Sequence, residues 1–246
     1  MKEKGETTVE ANIKKLIIRA EGANQRELKA IREDLIGNLE RIGAKTFVDT
    51  TASLLEEEFE IKGCNDPRIP LKRIFTISLP ELEKALSRKE FDLPQSHPIL
   101  GLFREHKSDV EQLKAIEKEL GVGDEEVITK LKDYYKDLDI HILKEEQALF
   151  PNLEEKGMGE HPDNLREEHD EFTEDLSSLI KLVQSGNNED TQVAEEKFNG
   201  DFIPAMSNHM FRESFIFYPA ALQYIQDDSE WALIERGFDA IDDLVQ

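Results

Sequence analysis

Two segments share a spacing that confines the chain to helices converging on one place. His141-Ile-Leu-Lys-Glu145 runs on to Pro151, and His209-Met-Phe-Arg-Glu213 runs on to Pro219. In each, a glutamate follows the histidine by four residues and a proline follows it by ten. On an α-helix, positions i and i+4 lie one above the other on a single face. Each segment therefore aims an imidazole and a carboxylate the same way. An exposed His–Glu contact would explain one such segment, but two copies, each closed by proline, favour a paired site.

A wider repeat contains these segments. His97-Pro98 with Glu105-His106 is matched by His161-Pro162 with Glu168-His169. Two helical hairpins facing each other follow, giving an all-α protein with an antiparallel four-helix bundle. The expected organisation is a smaller helical module at 1–92, the bundle at 97–226 and a C-terminal packing helix at 227–246. Asp92-Leu-Pro94-Gln-Ser96 serves as the linker.

Within the N-terminal module, residues 1–7 look frayed and a first helix spans about 8–20. Asn24 can cap the second. There Leu28, Ile31, Leu35, Leu39 and Ile42 form one apolar stripe, which Gly43 ends. A third helix is expected over 45–61, a turn from Gly63 to Pro70, and a short helix near 79–89. The module carries no histidine, so the chemistry is expected elsewhere.

In the bundle, Ser96 or His97 caps a helix that Pro98 starts and that runs to about Leu120. Asp124 caps the second helix, which Pro151 must kink or bring towards its end. His161-Pro162 opens the third. The fourth runs over about 190–226, distorted in its first half by Asn199-Gly200 and Pro204. In the last helix Trp231, Ile234, Phe238, Ile241 and Leu244 share a face.

His106, His141, His169 and His209 then come one from each bundle helix, with Glu145 and Glu213 added by the second and fourth. Apolar residues flank them on the same faces: Phe103 and Val110, Leu138, Leu165 and Phe172, Ala205 and Met206, and Phe217. Burying four imidazoles and two carboxylates among such neighbours is very unfavourable without a compensating cation. Imidazole and carboxylate without thiolate suit Fe, Mn, Zn or Cu. Six donors in two symmetric sets suit two ions, each taking two histidines, with Glu145 and Glu213 bridging. Bridged pairs of this kind sit roughly 3.5–4 Å apart. The Glu-x-x-His pairs of ferritin-like di-iron proteins are absent, since Pro94, Phe103, Leu138, Met158, Arg166 and Met206 precede the histidines by three.

His97 and His161 precede His106 and His169 by nine and eight residues, roughly 12–13 Å along a helix. They read as helix-start residues, with additional ligation or support of the ligands as the other reading. Tyr134, seven before His141 on the same face, could donate towards the site or fill the bundle core. Glu146 is rotated ~100° from Glu145 and belongs behind the ligands or on the surface.

The motifs His97-Pro-Ile-x5-Glu-His106, His141-x3-Glu-Glu-x2-Leu-Phe-Pro151, Glu-Glu-His169-Asp-Glu and His209-x3-Glu-x5-Pro219 resemble a hemerythrin-like (HHE cation-binding) domain over 97–225. The resemblance implies an antiparallel four-helix bundle holding two oxo- or hydroxo-bridged iron ions, with Zn or Mn ranked behind iron. It implies His106, His141, Glu145, His169, His209 and Glu213 as iron ligands. Oxygen-carrying members have a second histidine four residues from that on the third helix, where this chain has Leu165 and Thr173. They also use Asp five residues after the fourth-helix histidine, where this chain has Glu213 at four. The expectation is a more reactive, ligand-accessible centre rather than a reversible oxygen carrier.

Three functions follow as expectations. One is a di-iron module that binds or reacts with O2, NO or peroxide in sensing or redox protection. Another is repair of iron–sulfur centres, because Lys144–Pro151 followed by Lys-Gly-Met-Gly is similar to the repair-of-iron-centres proteins. Those carry an adjacent cysteine pair, whereas Cys64 is the single cysteine here. The third is a structural or interaction module with another metal. Leu93-Pro-x2-His-Pro-Ile and Glu230-Trp231 also make the layout similar to archaeal and bacterial hemerythrin-like proteins that often continue into a PAS sensor module. In that group the N-terminal helices would serve a protein partner or signalling. Whether the site turns over as an enzyme stays open.

The net charge of −23 argues against nucleic acid and anionic membranes as partners and is compatible with a basic protein. One cysteine supports neither a disulfide framework nor a thiolate cage. With no signal-like apolar start and no run of ~18 apolar residues, a reducing cytoplasm is expected.

Overall fold

The computed structural model describes residues 8–56, 66–122, 125–159 and 161–245. The frayed start at 1–7, the end of the expected third helix at 57–61, Cys64 with its turn from Gly63, and the Asp124 cap lie outside these residues. The described residues are helical, with no strand among them. No helix among them is long and apolar enough to cross a membrane.

Two compact units divide the chain. One comprises the residues up to Thr76 with Phe211–Tyr224, the other Ile77–Met210 with the residues from Ile225 onward. The linker at 92–96 suggested a boundary near 92. The division falls at 76 because α5 (Leu79–Arg88) packs on α6 (Pro98–Glu119).

The first unit contains α1 (Thr8–Glu21), α2 (Gln25–Ile42), α3 (Ala44–Glu56) and α4 (Arg68–Phe75). Asn24 closes a reciprocal cap on α2: its side chain accepts from Glu27 N at 3.1 Å, and Glu27 accepts from Asn24 N at 2.8 Å. Leu28, Ile31, Leu35 and Leu39 are buried, while Ile42 at the end of the stripe is half-buried. α4 occupies part of the stretch read as a turn. Pro70 lies in its first turn, where a missing N–H leaves no hydrogen bond unmade. Arg73 then donates to the carbonyls of Ala20, Glu21 and Ala23, satisfying acceptors that the end of α1 leaves exposed.

Gly43 joins α2 to α3 at φ +83°, and a Cβ there would lie 2.8 Å from Gln223 Oε1. That oxygen accepts from Lys45 N at 3.0 Å. Gly43→Ala is therefore expected to lower stability by more than ~1 kcal/mol, read as a shift in the denaturation midpoint at unchanged m-value. An unchanged midpoint would show that the junction tolerates a side chain.

The second unit is built on four helical rods. α6 is the first. The second joins α7 (Glu125–Lys144), a wide π turn (Glu145–Leu149) and α8 (Phe150–Glu155). α9 (His161–Gln184) is the third. The fourth joins α10 (Asn188–Lys197), a π turn (Phe198–Phe202) and α11 (Ile203–Arg212). Past Met210 the chain belongs to the first unit, where a third π turn (Glu213–Phe217) leads into α12 (Tyr218–Tyr224), which packs on α3 of the same unit.

The three π turns share one cause. Phe150 N, Ile203 N and Tyr218 N each donate to the carbonyl five residues back, and Pro151, Pro204 and Pro219 follow immediately. Proline cannot donate, and its ring needs room beside the carbonyl four residues before it. Widening the preceding turn provides that room and lets the helix continue. Pro151 therefore widens its helix, which runs on to Glu155.

α13 (Asp228–Leu244) packs against α6, α7 and the first π turn. Trp231, Ile234 and Phe238 are buried, but Ile241 is half-buried and Leu244 is 84% exposed. The stripe expected along the whole helix stops where α13 outruns the surface beneath it.

Candidate metal centre

The rods bring the repeated motifs together. His106 on α6, His141 on α7, His169 on α9 and His209 on α11 are all buried. Glu145 and Glu213 are each the first residue of a π turn and are 0% exposed. Phe103, Val110, Leu138, Leu165, Phe172, Met206 and Phe217 are buried. Ala205, expected beside His209, faces outward, and Met206 takes that flank.

Buried donors form two groups, and within each group the ligand atoms lie within 4.8 Å of one another. Glu145, His169, His209 and Glu213 form one, and His106, His141 and Glu213 form the other. The imidazoles are thus paired, with ring centres 4.9 Å apart for His106 and His141 and 5.0 Å for His169 and His209. Glu213 belongs to both groups. Glu145 Oε2 lies 3.3 Å from His169 Nε2 and 3.8 Å from His141 Nε2, so it too reaches both pairs.

Protonation tests whether a cation fits. His169 Nδ1 lies 2.8 Å from Glu146, and His209 Nδ1 lies 2.8 Å from Glu168. A carboxylate only accepts, so each Nδ1 donates to it and each ring presents Nε2 to the cluster. Those two Nε2 atoms face each other at 3.2 Å. Imidazole nitrogens converging beside enclosed carboxylates form a donor set that suits a cation, and carboxylates orient the rings from behind.

The carboxylates behind the imidazoles follow a rule. Glu105 on α6 holds His141 Nδ1 at 2.8 Å on the next rod. Glu146 on the second rod holds His169 on the third, and Glu168 on the third holds His209 on the fourth. Each is the sequence neighbour of a donor on its own helix, swung ~100° round so that it reaches the adjacent helix's imidazole. Glu105 and Glu168 were not singled out from the sequence for this role. The signal was the Glu-His dipeptide at 105–106 and again at 168–169.

Burial pushes the Glu105 carboxyl up, but the hydrogen bonds and positive charges of His141 and Lys144 outweigh it and hold it at about 2. The contribution of these contacts is full above the ordinary value of 4.5 and is lost as pH falls from there towards 2.

His97, His161 and Tyr134 belong to neither donor group. His97 caps α6: its Nδ1 accepts from Ile99 N at 3.2 Å, and its ring centre lies 4.5 Å from that of Trp231. Burial lowers its pKa against the opposing pull of Glu235 and Asp228. His161 opens α9. Tyr134 is fully buried, edge-on to Phe202 at 6.4 Å, and burial drives its pKa well up.

Fold and donor set together define a helical-bundle protein whose interior can hold metal cations. The model of the hemerythrin HHE cation binding domain matches residues 97–221, and the chain belongs to that family. A probable iron-sulfur cluster repair protein of Haemophilus influenzae is 30% identical over 107 residues, covering 39% of this chain and 46% of that protein. The chain thus matches somewhat under half the length of this curated relative. No solved structure matches significantly.

Proposed function

We propose that the chain holds two iron ions in its bundle and uses them to bind or react with O2, NO or peroxide, in sensing or redox protection. The observation that carries this reading is the sharing of Glu213 between two histidine pairs. His106 and His141 would hold one ion and His169 and His209 the other, with Glu213 and Glu145 between them. Such a pair supplies Lewis acidity and exchangeable electrons to a small molecule. The protein's share is to fix the imidazoles from behind through Glu105, Glu146 and Glu168, and to keep bulk water out with Phe103, Phe172 and Met206.

Protein produced with iron is expected to carry about two Fe per chain. His141→Ala and His209→Ala should each lose metal, while His97→Ala, which removes a helix cap and a ring packed on Trp231 but no donor, should still bind it. Ligand histidines must be neutral, so metal should leave on acidification through roughly pH 6 to 5. Metal analysis returning zinc alone at one per chain would remove the di-iron reading.

The similarity to a probable iron-sulfur cluster repair protein of Haemophilus influenzae favours a second reading, repair of iron–sulfur centres. Recovery of a damaged iron–sulfur enzyme by the iron-loaded protein would support it. Repeated consumption of O2, NO or peroxide without such recovery would support the first. The histidine-free N-terminal helices are the segment we assign to a protein partner, and a reducing cytoplasm is the setting that suits the iron.

A further inference from the structure

The C-terminal helix reaches a candidate ligand through an unbroken chain of charged side chains. Asp242 on α13 lies 2.9 Å from Lys144 Nζ. Lys144 Nζ donates to Glu105 Oε1 at 2.8 Å. The other oxygen of that carboxylate accepts from His141 Nδ1 at 2.8 Å. Lys144 is only 7% exposed and immediately precedes Glu145, so one residue is tied to the neighbourhood of two donors.

α13 is fastened to the same place by shape. Gly237 lies against the first π turn, where a Cβ would come 2.9 Å from Ala148 Cβ. At the other end of the helix Trp231 packs on His97, the cap of α6. The helix therefore touches the start of the rod bearing His106, the turn bearing Glu145 and the lysine behind His141.

We propose that Lys144 and Asp242 are positioning residues for the ion at His141, and that the seating of α13 thereby sets how firmly that ion is kept. The inference rests on the metal reading above. A carboxylate that orients a ligating imidazole changes metal retention roughly 10- to 100-fold when lost. Glu105 is oriented from both sides, by the imidazole and by an ammonium that α13 helps to place. Coupling of this kind is reciprocal, so metal must in turn steady α13.

The test uses the full chain loaded with iron and measures the rate of iron loss to a chelator. Lys144→Met is expected to speed loss of about one iron per chain roughly tenfold, and Lys144→Arg, which can still span both carboxylates, should restore the wild-type rate. Asp242→Asn alters a residue near the surface and tests the same chain with little risk to folding. Gly237→Ala lifts α13 while leaving every charge in place, and should also speed loss. In hydrogen exchange, amides of 228–244 should be slower in the loaded wild type than in the metal-free protein. A wild type that takes up no metal would overturn the metal reading and this inference with it. A wild type that loads two irons, with folded Lys144→Met, Asp242→Asn and Gly237→Ala variants releasing them at the wild-type rate, would overturn this inference alone.

Discussion

Glu213→Ala is expected to strip both metal positions at once, lowering affinity by on the order of a hundredfold or more. Losing an orienting partner behind a ligand already costs 10- to 100-fold, and Glu213 is a donor common to both groups. His106→Ala removes a donor from one group only and should leave the other ion bound. Metal content per chain after gel filtration separates the two outcomes. Equal losses in both variants, or two ions retained by Glu213→Ala, would mean that Glu213 does not link the pairs.

Removing the metal should lower the thermal midpoint by roughly 10 °C. An ion present at a thousand times its dissociation constant adds about 4 kcal/mol, and a chain of this size shifts by roughly 2–4 °C per kcal/mol. Glu145→Gln should reverse sign between the two states. In the metal-free protein it removes a carboxylate that is 0% exposed and sits among the buried donors, so the midpoint should rise. With metal it removes a donor, so the midpoint should fall. Calorimetry of both proteins with and without chelator checks this. A midpoint indifferent to chelation would show that the ions contribute nothing to holding the rods together.

The helical class and the site were legible for different reasons. Helix spacing puts His141 with Glu145 and His209 with Glu213 on common faces, and the two-fold repetition pairs the rods. Buried flanks such as Phe103 and Phe172 followed from the same periodicity. The cross-helix bonds of Glu105 and Glu168 did not, because spacing along one helix says nothing about which neighbour a residue turned ~100° away will meet. α4 was hidden by Pro70, which reads as a turn residue yet is compatible with a first helical turn. Nothing in the sequence pointed to Lys144 as a support behind a candidate ligand. Its partner Asp242 is about a hundred residues away in the chain, and only the docking of α13 joins them.

The wide turn at Glu213 has an effect on which position can offer an acid. In an unbroken α-helix, consecutive side chains diverge by about 100° and seldom both face a core. Here Glu213 and Ser214 are both fully enclosed. A carboxylate placed at 214 would thus be enclosed as well, so Glu213→Ala with Ser214→Asp moves a buried acid one residue along the same wide turn and leaves its charge without solvent.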